Sequence, residues 1–348
     1  MKIAIITDQH FGARKNSQIF HDYFLKFYEN IFFPALEKEG ITTVVDMGDT
    51  FDSRRGIDFS ALRWAKDNYF DRLHKMGCTV HTVVGNHTAY YKNTNEVNAV
   101  DLLLREYDNV KIYADPEEVK IGNLKILFVP WINKENEEQT IKYIKKSKCP
   151  VAMGHLELNG FQVNQQVVMD HGFDHNYFKK FDRVYSGHFH TRSSQEGIHY
   201  LGNPYEIYWN DVEDTRGFHL FDTETLEHTP INNPYRLFYK IYYEDTDYQL
   251  FDTREYENKI IKLIVRKKTD NKKFEKFIDK LYEANAAEIK IVENFDFNGW
   301  YTDDFEPFES EDTLSILNRY IEDSEASLDK SLIKKMMQET YQEACELI

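Results

Sequence analysis

Five short apolar runs, each followed at once by a polar cluster, constrain how about the first 190 residues can fold. The runs have the length and the Ile and Val content of buried strands. In chain order they are "IAIIT", "TTVVDM", "VHTVV", "VAM" and "RVYS". Helix-like segments at 17–40 and 58–77 lie between the early runs, and Gly77 supplies a helix stop. This order predicts an α/β sheet, in which the carboxyl ends of parallel strands meet at one edge.

The polar clusters supply a set of potential metal ligands. Four of the five begin with glycine, which permits the close-packed turn that brings a side chain into a shared cavity. The side chains gathered in this way are Asp8, His10, Asp49, Asn86, His87, His155, His188 and His190. These imidazoles, carboxylates and amide exceed the needs of one tetrahedral ion. They suit two divalent ions such as Mn²⁺, bridged by one carboxylate.

The last cluster, "GHFH", carries two histidines on alternate positions. In an extended segment, His188 and His190 would point to the same side and Phe189 would turn into the core. We expect one of the two histidines on each metal. A lone histidine after a strand is more often structural than a ligand, so the complete ordered set carries the two-metal interpretation.

The ordered set D-x-H, GD-x-x-D, GNH, GH and GH-x-H resembles the calcineurin-like metallophosphoesterase superfamily over about the first 220 residues. The blocks "FDRVYSGHFHT" and "YLGNPYEIYW" are similar to the SbcD-type nucleases of double-strand-break repair, in the form found in tailed phages. The resemblance implies an α/β fold: a four-layer α-β-β-α sandwich with a small α+β capping domain and a C-terminal helical tail. It also implies a first metal on Asp8, His10 and His190, a bridging Asp49, and a second metal on Asn86, His155 and His188.

The same resemblance implies catalytic roles beside the metals. His87 would be the acid that faces the substrate, and a metal-activated hydroxide would attack the phosphodiester. Asp52 stands where some nuclease relatives have a histidine, and we expect it to orient a ligand histidine. Thr88 stands where the superfamily usually has an acidic residue, so we expect altered loop geometry more than lost activity.

Charge is unevenly distributed along a chain whose net charge is −16. Residues 293–348 hold 15 Asp and Glu against 4 Lys and Arg, whereas residues 259–280 hold 9 basic against 3 acidic residues. A basic patch can contact DNA phosphates, although a solvated surface explains the charge equally well. The candidate DNA contacts are Arg54, Arg55, Tyr90, Tyr91, Lys267, Lys268, Lys272 and Lys273.

Four segments are expected along the chain. They are a nuclease domain at 1–225, a DNA-guiding capping domain at 226–295, an acidic linker at 296–312 and a helical segment at 313–348. Apolar stripes in the last segment would bind a partner ATPase, or else pack on the rest of this protein. The candidate partner contacts are Leu328, Leu332, Met336 and Tyr341. The resemblance also implies a homodimer through helices near 58–75 and 95–106.

The sequence therefore predicts a nuclease subunit that uses two divalent ions, with Mn²⁺ preferred and Mg²⁺ as the alternative. It would cut double- and single-stranded DNA, as exonuclease and endonuclease, with an SbcC-type ABC ATPase in phage DNA recombination, repair and replication. No apolar run approaches the length of a membrane span, about 18 residues, so we expect a cytoplasmic protein, in the host cell if phage-encoded. Two alternatives stay open: a stand-alone phosphodiesterase or phosphatase for a small substrate, and a non-catalytic metal-bound scaffold that recruits the ATPase.

Overall fold

The computed structural model describes residues 1–163, 167–248, 250–266 and 270–293, together with positions 321, 330 and 333. The chain divides into two units, Met1–Phe295 and Asp296–Ile348, and the strands and helices named here belong to the first. The predicted acidic linker lies outside the described residues. So do six predicted contact residues, namely Lys267, Lys268, Leu328, Leu332, Met336 and Tyr341.

The described residues form fifteen strands in three sheets. In chain order they are β1 (Lys2–Ile6), β2 (Thr43–Asp46), β3 (Thr79–Val83), β4 (Val110–Tyr113), β5 (Glu117–Ile121), β6 (Leu124–Val129), β7 (Val151–His155), β8 (Arg183–Gly187), β9 (Ser193–Gln195), β10 (Ile198–Tyr200), β11 (Gly217–Asp222), β12 (His228–Asn232), β13 (Phe238–Tyr242), β14 (Ile260–Val265) and β15 (Glu288–Glu293). The first sheet has the order β12-β11-β1-β2-β3-β4, and the second has the order β5-β6-β7-β8-β10-β9. Strands β1 to β4 are parallel, and so are β6, β7, β8 and β10. The carboxyl ends of these strands therefore lie at one edge of each sheet.

Helical segments connect many of the strands. They are α1 (Ala13–Asn16), α2 (Gln18–Phe27), α3 (Phe33–Glu39), α4 (Phe59–Ala65), α5 (Asp71–Lys75), α6 (Ala99–Leu104), α7 (Glu137–Lys146) and α8 (Asn271–Glu283). A wider π turn joins α2 to α3, and another joins α4 to α5, so each pair continues as one helix where the sequence predicts one. Gly40 and Gly77, with φ angles of 63° and 70°, follow these two helices. Among the described residues, no helix combines the length and apolar character needed to cross a membrane.

Alternate residues of β1 pack in different layers. Ile3 and Ile5 share a core cluster with Met153 and other residues of the second sheet. Ala4 and Ile6 belong to a second cluster, which contains the buried aromatic side chains of α2 and α3. The two large sheets thus pack face to face, with helices over the outer face of the first. This arrangement confirms the predicted α/β sandwich.

Strands β13, β14 and β15 form a separate parallel sheet that is covered by α8. Phe274, Phe277 and Leu281 recur at helical spacing, and their buried side chains pack with Ile261 and Leu263 of β14. Each such side chain contributes roughly 1.5–3 kcal/mol when it is fully buried. This sheet and helix therefore have a hydrophobic core of their own, within the residues predicted to cap the site.

Three histidines bring strands of both large sheets into contact. The ring of His228 lies 4.8 Å from that of His199 and 5.0 Å from that of His219, measured between centroids. His219 Nε2 donates to the Leu201 carbonyl at 3.2 Å, so its Nδ1 accepts from Nδ1 of His228 at 3.1 Å. Burial lowers the pKa of His219 to about 3 and that of His199 to about 4. These two rings are therefore neutral at physiological pH.

We expect His219 to make the fold less stable in acid. Its folded pKa of about 3 lies below its ordinary value of 6.5, so unfolding at intermediate pH takes up a proton. This uptake should lower the free energy of unfolding by roughly 1–3 kcal/mol between about pH 6.5 and 4.5. Urea unfolding at several pH values measures the slope, which His219→Gln should reduce. His74→Gln, at an exposed histidine, is the control. Equal slopes in wild type and His219→Gln would contradict the prediction.

Candidate active site

The predicted metal ligands converge at the ends of five strands. Strands β1, β2 and β3 of the first sheet lead into them, and so do β7 and β8 of the second. Three groups of side chains have ligand atoms within 4.8 Å of one another, namely Asp8, His10 and His190; His10, Asp49 and His87; and Asp49, His155 and His188. All of these side chains are buried except that of His190, which is half-buried. Because His10 and Asp49 each belong to two groups, the three groups form one continuous site.

In the first group, two imidazole nitrogens face each other. His10 Nδ1 lies 3.0 Å from Asp52 Oδ1, and it donates because an ionised carboxylate can only accept. The lone pair of His10 is therefore on Nε2, which lies 3.3 Å from Nε2 of His190. Two nitrogens at this distance share either a proton or a metal ion. Since Asp8 adds a carboxylate to the same group, the donor set fits a divalent ion.

Two histidines of the third group, His155 and His188, face the side-chain oxygen of Asn86. This Oδ1 lies 2.9 Å from Nε2 of His155 and 3.0 Å from Nδ1 of His188. His155 Nδ1 donates to the Met47 carbonyl at 2.9 Å, and His188 Nε2 donates to Glu157 Oε2 at 3.1 Å. The charge of Asp49 outweighs burial and raises the pKa of His155 to about 9, so a metal ion would have to displace the proton on its Nε2. The other nitrogen of each ring can then present its lone pair to the same place. Three acceptors facing one another fit a cation between them.

Asp49 lies between these two positions. Its Oδ1 accepts the backbone N–H of His87 at 2.8 Å, and its Oδ2 lies 3.0 Å from Nε2 of His155. Burial raises the pKa of Asp49, but the charges of His155, His87 and His10 outweigh burial and hold this pKa well below its usual range. Asp49 is therefore an ionised carboxylate with ligand groups on two sides, as a bridging ligand needs to be.

The backbone of four predicted ligands is left-handed. The φ angle is 52° at Asp8, 47° at His10, 52° at Asp49 and 84° at His188. Residues other than glycine seldom adopt this conformation, although Asp and His do so more often than most. Two backbone hydrogen bonds join the loop after β1 to the loop after β2. Asp8 N donates to Gly48 O at 3.0 Å, and His10 N donates to Asp49 O at 2.9 Å. Unusual backbone geometry thus coincides with the candidate ligands.

The expectation of an extended segment through "GHFH" is wrong. Strand β8 ends at Gly187, and the positive φ of His188 turns the chain at the next residue. Phe189 is buried, as expected. The two histidines point to different groups, since His188 contacts Asn86 and His190 contacts His10.

Asp52 contacts two histidines at once. Its side chain holds His10, and its backbone carbonyl accepts Nδ1–H of His87 at 2.7 Å. The rings of His10 and His87 are edge-on, with centroids 4.6 Å apart. The buried hydroxyl of Thr88 accepts from the backbone nitrogen of Gly85 at 3.0 Å and donates to its carbonyl at 3.1 Å. The Thr88 side chain therefore helps the backbone to close the GNH loop.

The buried carboxylate of Asp46, which no sequence motif indicated, supports the loops that carry Asp8, His10 and Asp49. It accepts hydrogen bonds from Gln9 Nε2 at 2.8 Å, Thr50 Oγ1 at 2.7 Å and Gly48 N at 3.2 Å. Tyr28, in the π turn after α2, also donates to Gln9 Oε1 at 2.6 Å. Burial raises the pKa of Asp46 to about 7. Asp46 comes at the end of an apolar run, so the sequence pattern indicated only the end of a strand. It gave no sign that the side chain of Asp46 supports the neighbouring loops.

A second missed group lies behind His190. Asp211 Oδ1 is 3.5 Å from Nδ1 of His190, and Nδ2 of Asn203 is 3.2 Å from the same nitrogen. The buried Arg216 donates to Asn203 Oδ1 and to the His190 carbonyl, and it forms an ion pair with Asp211. Burial raises the pKa of Asp211, but Arg216 and then His190 outweigh it, so the carboxyl stays ionised. Of this group, only Asn203 lies in "YLGNPYEIYW", the stretch that resembles the nuclease family.

Six predicted DNA contacts are described, namely Arg54, Arg55, Tyr90, Tyr91, Lys272 and Lys273. Arg54 is half-buried, whereas the other five are exposed. The rings of Tyr90 and Tyr91 meet edge-on, with centroids 4.7 Å apart, shortly after His87. Lys272 and Lys273 are in the first turn of α8, where Asp270 caps their backbone N–H groups. Arg55 and the two tyrosines follow loops of the candidate site, and the two lysines belong to the small third sheet and its helix.

Comparison with known proteins defines the class. The family model described as calcineurin-like phosphoesterase matches residues 1–192. The chain therefore belongs to this family of metal-dependent phosphoesterases, which confirms the predicted class of enzyme and its use of divalent metals. Among curated proteins it is similar to exonuclease subunit 1 of Enterobacteria phage T4, with 31% identity over 327 residues that cover 92% of each chain. This similarity confirms the predicted resemblance to the phage form of the SbcD-type family.

Two solved structures are also similar to the chain. One is a novel archaeal phosphodiesterase, with 14% identity, coverage of 67% of this chain and 100% of that chain, and a TM-score of 0.35. The other is a dimetal phosphatase from Danio rerio, with 12% identity, coverage of 67% and 98%, and a TM-score of 0.41.

Gly85 packs directly against the shared carboxylate, and this contact gives a test of the site. A Cβ at position 85 would lie 2.1 Å from Asp49 Oδ1 and 2.5 Å from Asp49 N. Gly85→Ala should therefore displace Asp49 and weaken Mn²⁺ binding about 10-fold or more. Calorimetric titration of the metal-stripped protein measures this affinity. The control is Gly56→Ala, whose Cβ would meet nothing within 4 Å. Wild-type affinity in Gly85→Ala would refute the close-packing argument.

Proposed function

We propose that the chain is a Mn²⁺-dependent DNA nuclease, with exonuclease and endonuclease activity on double- and single-stranded DNA. The observation that carries this proposal is the position of Asp49, which shares one ligand group with His10 and another with His155 and His188. A carboxylate between two sets of donors is the arrangement needed by two metal ions that act on one phosphate. The name of the phage T4 relative, exonuclease subunit 1, supports a nucleic-acid substrate.

The proposed ligands combine negative and neutral donors. Two bound divalent ions would neutralise the phosphate oxygens and lower the pKa of a water molecule that serves as nucleophile. Asp8 and Asp49 supply the negative charges, while the imidazoles and Asn86 are neutral, which lets the site accept an anionic phosphate. Asp52 and the Met47 carbonyl hold the rings of His10 and His155 with one nitrogen ready to bind.

We propose Mn²⁺ in preference to Mg²⁺ on the chemistry of the donors. Four of the seven proposed ligands are imidazoles, namely His10, His155, His188 and His190. Mg²⁺ prefers oxygen ligands and retains several waters, whereas a mixed set of imidazoles and carboxylates suits a softer divalent ion.

His87 is proposed as the acid for the departing sugar oxygen. Its Nδ1 donates to the Asp52 carbonyl, so Nε2 is the nitrogen able to pass a proton to the substrate. The ring meets that of His10 edge-on, and His87 belongs to the same group of potential ligands as His10 and Asp49. The proposed acid therefore lies next to the reacting phosphate.

Replacement of His87 should separate proton donation from metal binding. We expect His87→Ala to lower DNA cleavage about 10²–10⁴-fold, because the sugar oxygen would leave without a proton. Hydrolysis of bis(p-nitrophenyl) phosphate should fall much less, because p-nitrophenolate leaves readily without one. Both rates are measured with Mn²⁺ on labelled DNA and on the chromogenic ester, beside calorimetric Mn²⁺ binding. Asp49→Ala is the comparison and should lose both activities and metal affinity.

The same assays distinguish the alternatives. Hydrolysis of the small ester without cleavage of duplex or single-stranded DNA, with or without the ATPase, would favour a small-substrate phosphodiesterase. Mn²⁺ binding without any hydrolysis would favour a scaffold. Loss of Mn²⁺ from His87→Ala would make His87 a ligand, a role that its group with His10 and Asp49 also permits.

We also propose that the chain acts as a homodimer with an SbcC-type ABC ATPase in phage DNA recombination, repair and replication. The phage T4 relative is named as a subunit, which supports work within an assembly. Phe59 is 87% exposed and Leu102 is 57% exposed, and they are on α4 and α6, within the segments predicted to dimerise. Exposed large apolar side chains at these positions support a contact between copies. The ATPase contact is assigned to residues 313–348.

Sedimentation of two forms tests both assemblies. The complete chain and a form that ends at Phe295 should each sediment as a dimer, because the proposed dimer helices are retained in both. Only the complete chain should co-sediment with the ATPase. Unchanged hydrolysis of bis(p-nitrophenyl) phosphate by the shorter form provides the folding control. ATPase binding by the shorter form, or a monomeric complete chain, would overturn the corresponding assignment.

A further inference from the structure

We infer that Glu157 is a positioning residue that directs Nδ1 of His188 toward the second metal position. This inference rests on the proposed two-metal site. Glu157 Oε2 accepts Nε2–H of His188 at 3.1 Å, while Nδ1 of the same ring lies 3.0 Å from Asn86 Oδ1. The Glu157 side chain is 14% exposed, so little water competes for this hydrogen bond. The carboxylate fixes the proton on one nitrogen and leaves the other free to bind.

His188 needs such a partner more than its neighbours do. His10 and His155 both present Nε2 to the site, because a carboxylate and a carbonyl hold their Nδ1–H groups. His188 presents Nδ1, the nitrogen nearer to the backbone, and its backbone is left-handed with a φ of 84°. Trp131 packs against this ring, with centroids 5.1 Å apart, but a tryptophan face does not choose between the two nitrogens. The negative charge of Glu157 favours the proton on Nε2 and leaves the lone pair on Nδ1.

The position of Glu157 is set by the base of the loop that follows β7. The backbone carbonyl of Glu157 accepts Phe173 N–H at 2.8 Å, and Asn159 N–H donates to the Phe173 carbonyl at 3.0 Å. Gly172 has a φ of +97°, and a Cβ there would lie 2.7 Å from the Glu157 carbonyl oxygen. This glycine therefore allows the two chain segments to approach. The loop base holds Glu157, and Glu157 holds His188.

Mn²⁺ binding to the full-length chain, stripped of metal, tests the inference without reliance on activity. Titration followed by electron paramagnetic resonance should find two Mn²⁺ ions per wild-type chain. We expect Glu157→Ala to weaken one of the two sites 10- to 100-fold and to leave the other unchanged. Glu157→Gln, which keeps an acceptor oxygen but no charge, should weaken the same site by a smaller factor. Asp52→Asn should weaken the other site, since Asp52 holds His10.

Two glycine variants test the loop base independently of the carboxylate. Gly172→Ala should weaken the same site as Glu157→Ala, because its Cβ would collide with the Glu157 carbonyl. Gly160→Ala is the matched control, since Gly160 is in the same loop with a φ of +88° but a Cβ there would meet nothing within 4 Å. Both variants strain the backbone, so a difference between them reports the contact with Glu157.

The outcomes separate this inference from the proposed function. A wild-type chain that binds no Mn²⁺ would refute the two-metal site itself. If the wild type binds two ions and Glu157→Ala binds both with wild-type affinity, the positioning role is wrong. Equal weakening of both sites in Glu157→Gln and Gly172→Ala would also overturn it, because that result indicates a general loss of structure. Thermal unfolding of each variant confirms that it is folded.

Discussion

The candidate site has to stabilise the negative charges of two buried carboxylates, and its other contacts do so. Asp8 and Asp49 are 0% and 2% exposed, and a buried carboxylate without partners costs several kcal/mol. Asp8 is compensated by the backbone N–H of His188, from the second sheet. Asp49 is compensated by the backbone N–H of His87 and by the protonated imidazole of His155, again from the second sheet. The contacts that make burial of the charges tolerable also bring the imidazoles to ligand distance.

Close approach of neighbouring chain segments explains the glycines that precede two of the ligands, Asn86 and His188. Gly85 and Gly187 do not have positive φ angles, so conformational freedom is not the reason for glycine at these positions. A Cβ at Gly187 would lie 1.9 Å from Thr7 Oγ1 and 2.8 Å from Asp8 Oδ2. The strain is instead in the ligands, where each left-handed residue costs roughly 1–3 kcal/mol. Glycine at those positions would relieve the strain but remove the side chain that binds.

The convergence of the clusters could be predicted from the sequence because a parallel sheet aligns the carboxyl ends of its strands. The supporting residues could not be predicted in the same way. Glu157 contacts His188 across 31 residues of sequence, and Asp211 contacts His190 across a segment that includes β9 and β10. A supporting carboxylate is recognised by what it touches, and neither spacing nor composition contains that information. The left-handed backbone was equally hidden, since Asp and His are compatible with either conformation.

Each proposed metal position draws on both sheets. His10 follows β1 and faces His190 after β8, while Asn86 follows β3 and contacts His155 at the end of β7. Free energy gained when an ion binds across such a junction therefore also stabilises the packing of one sheet on the other. The two histidines of "GHFH" extend this coupling, since a single strand, β8, supplies one side chain to each position. A shift of β8 would move both positions together, which is a physical reason for its tight contact with Asp8 through Gly187.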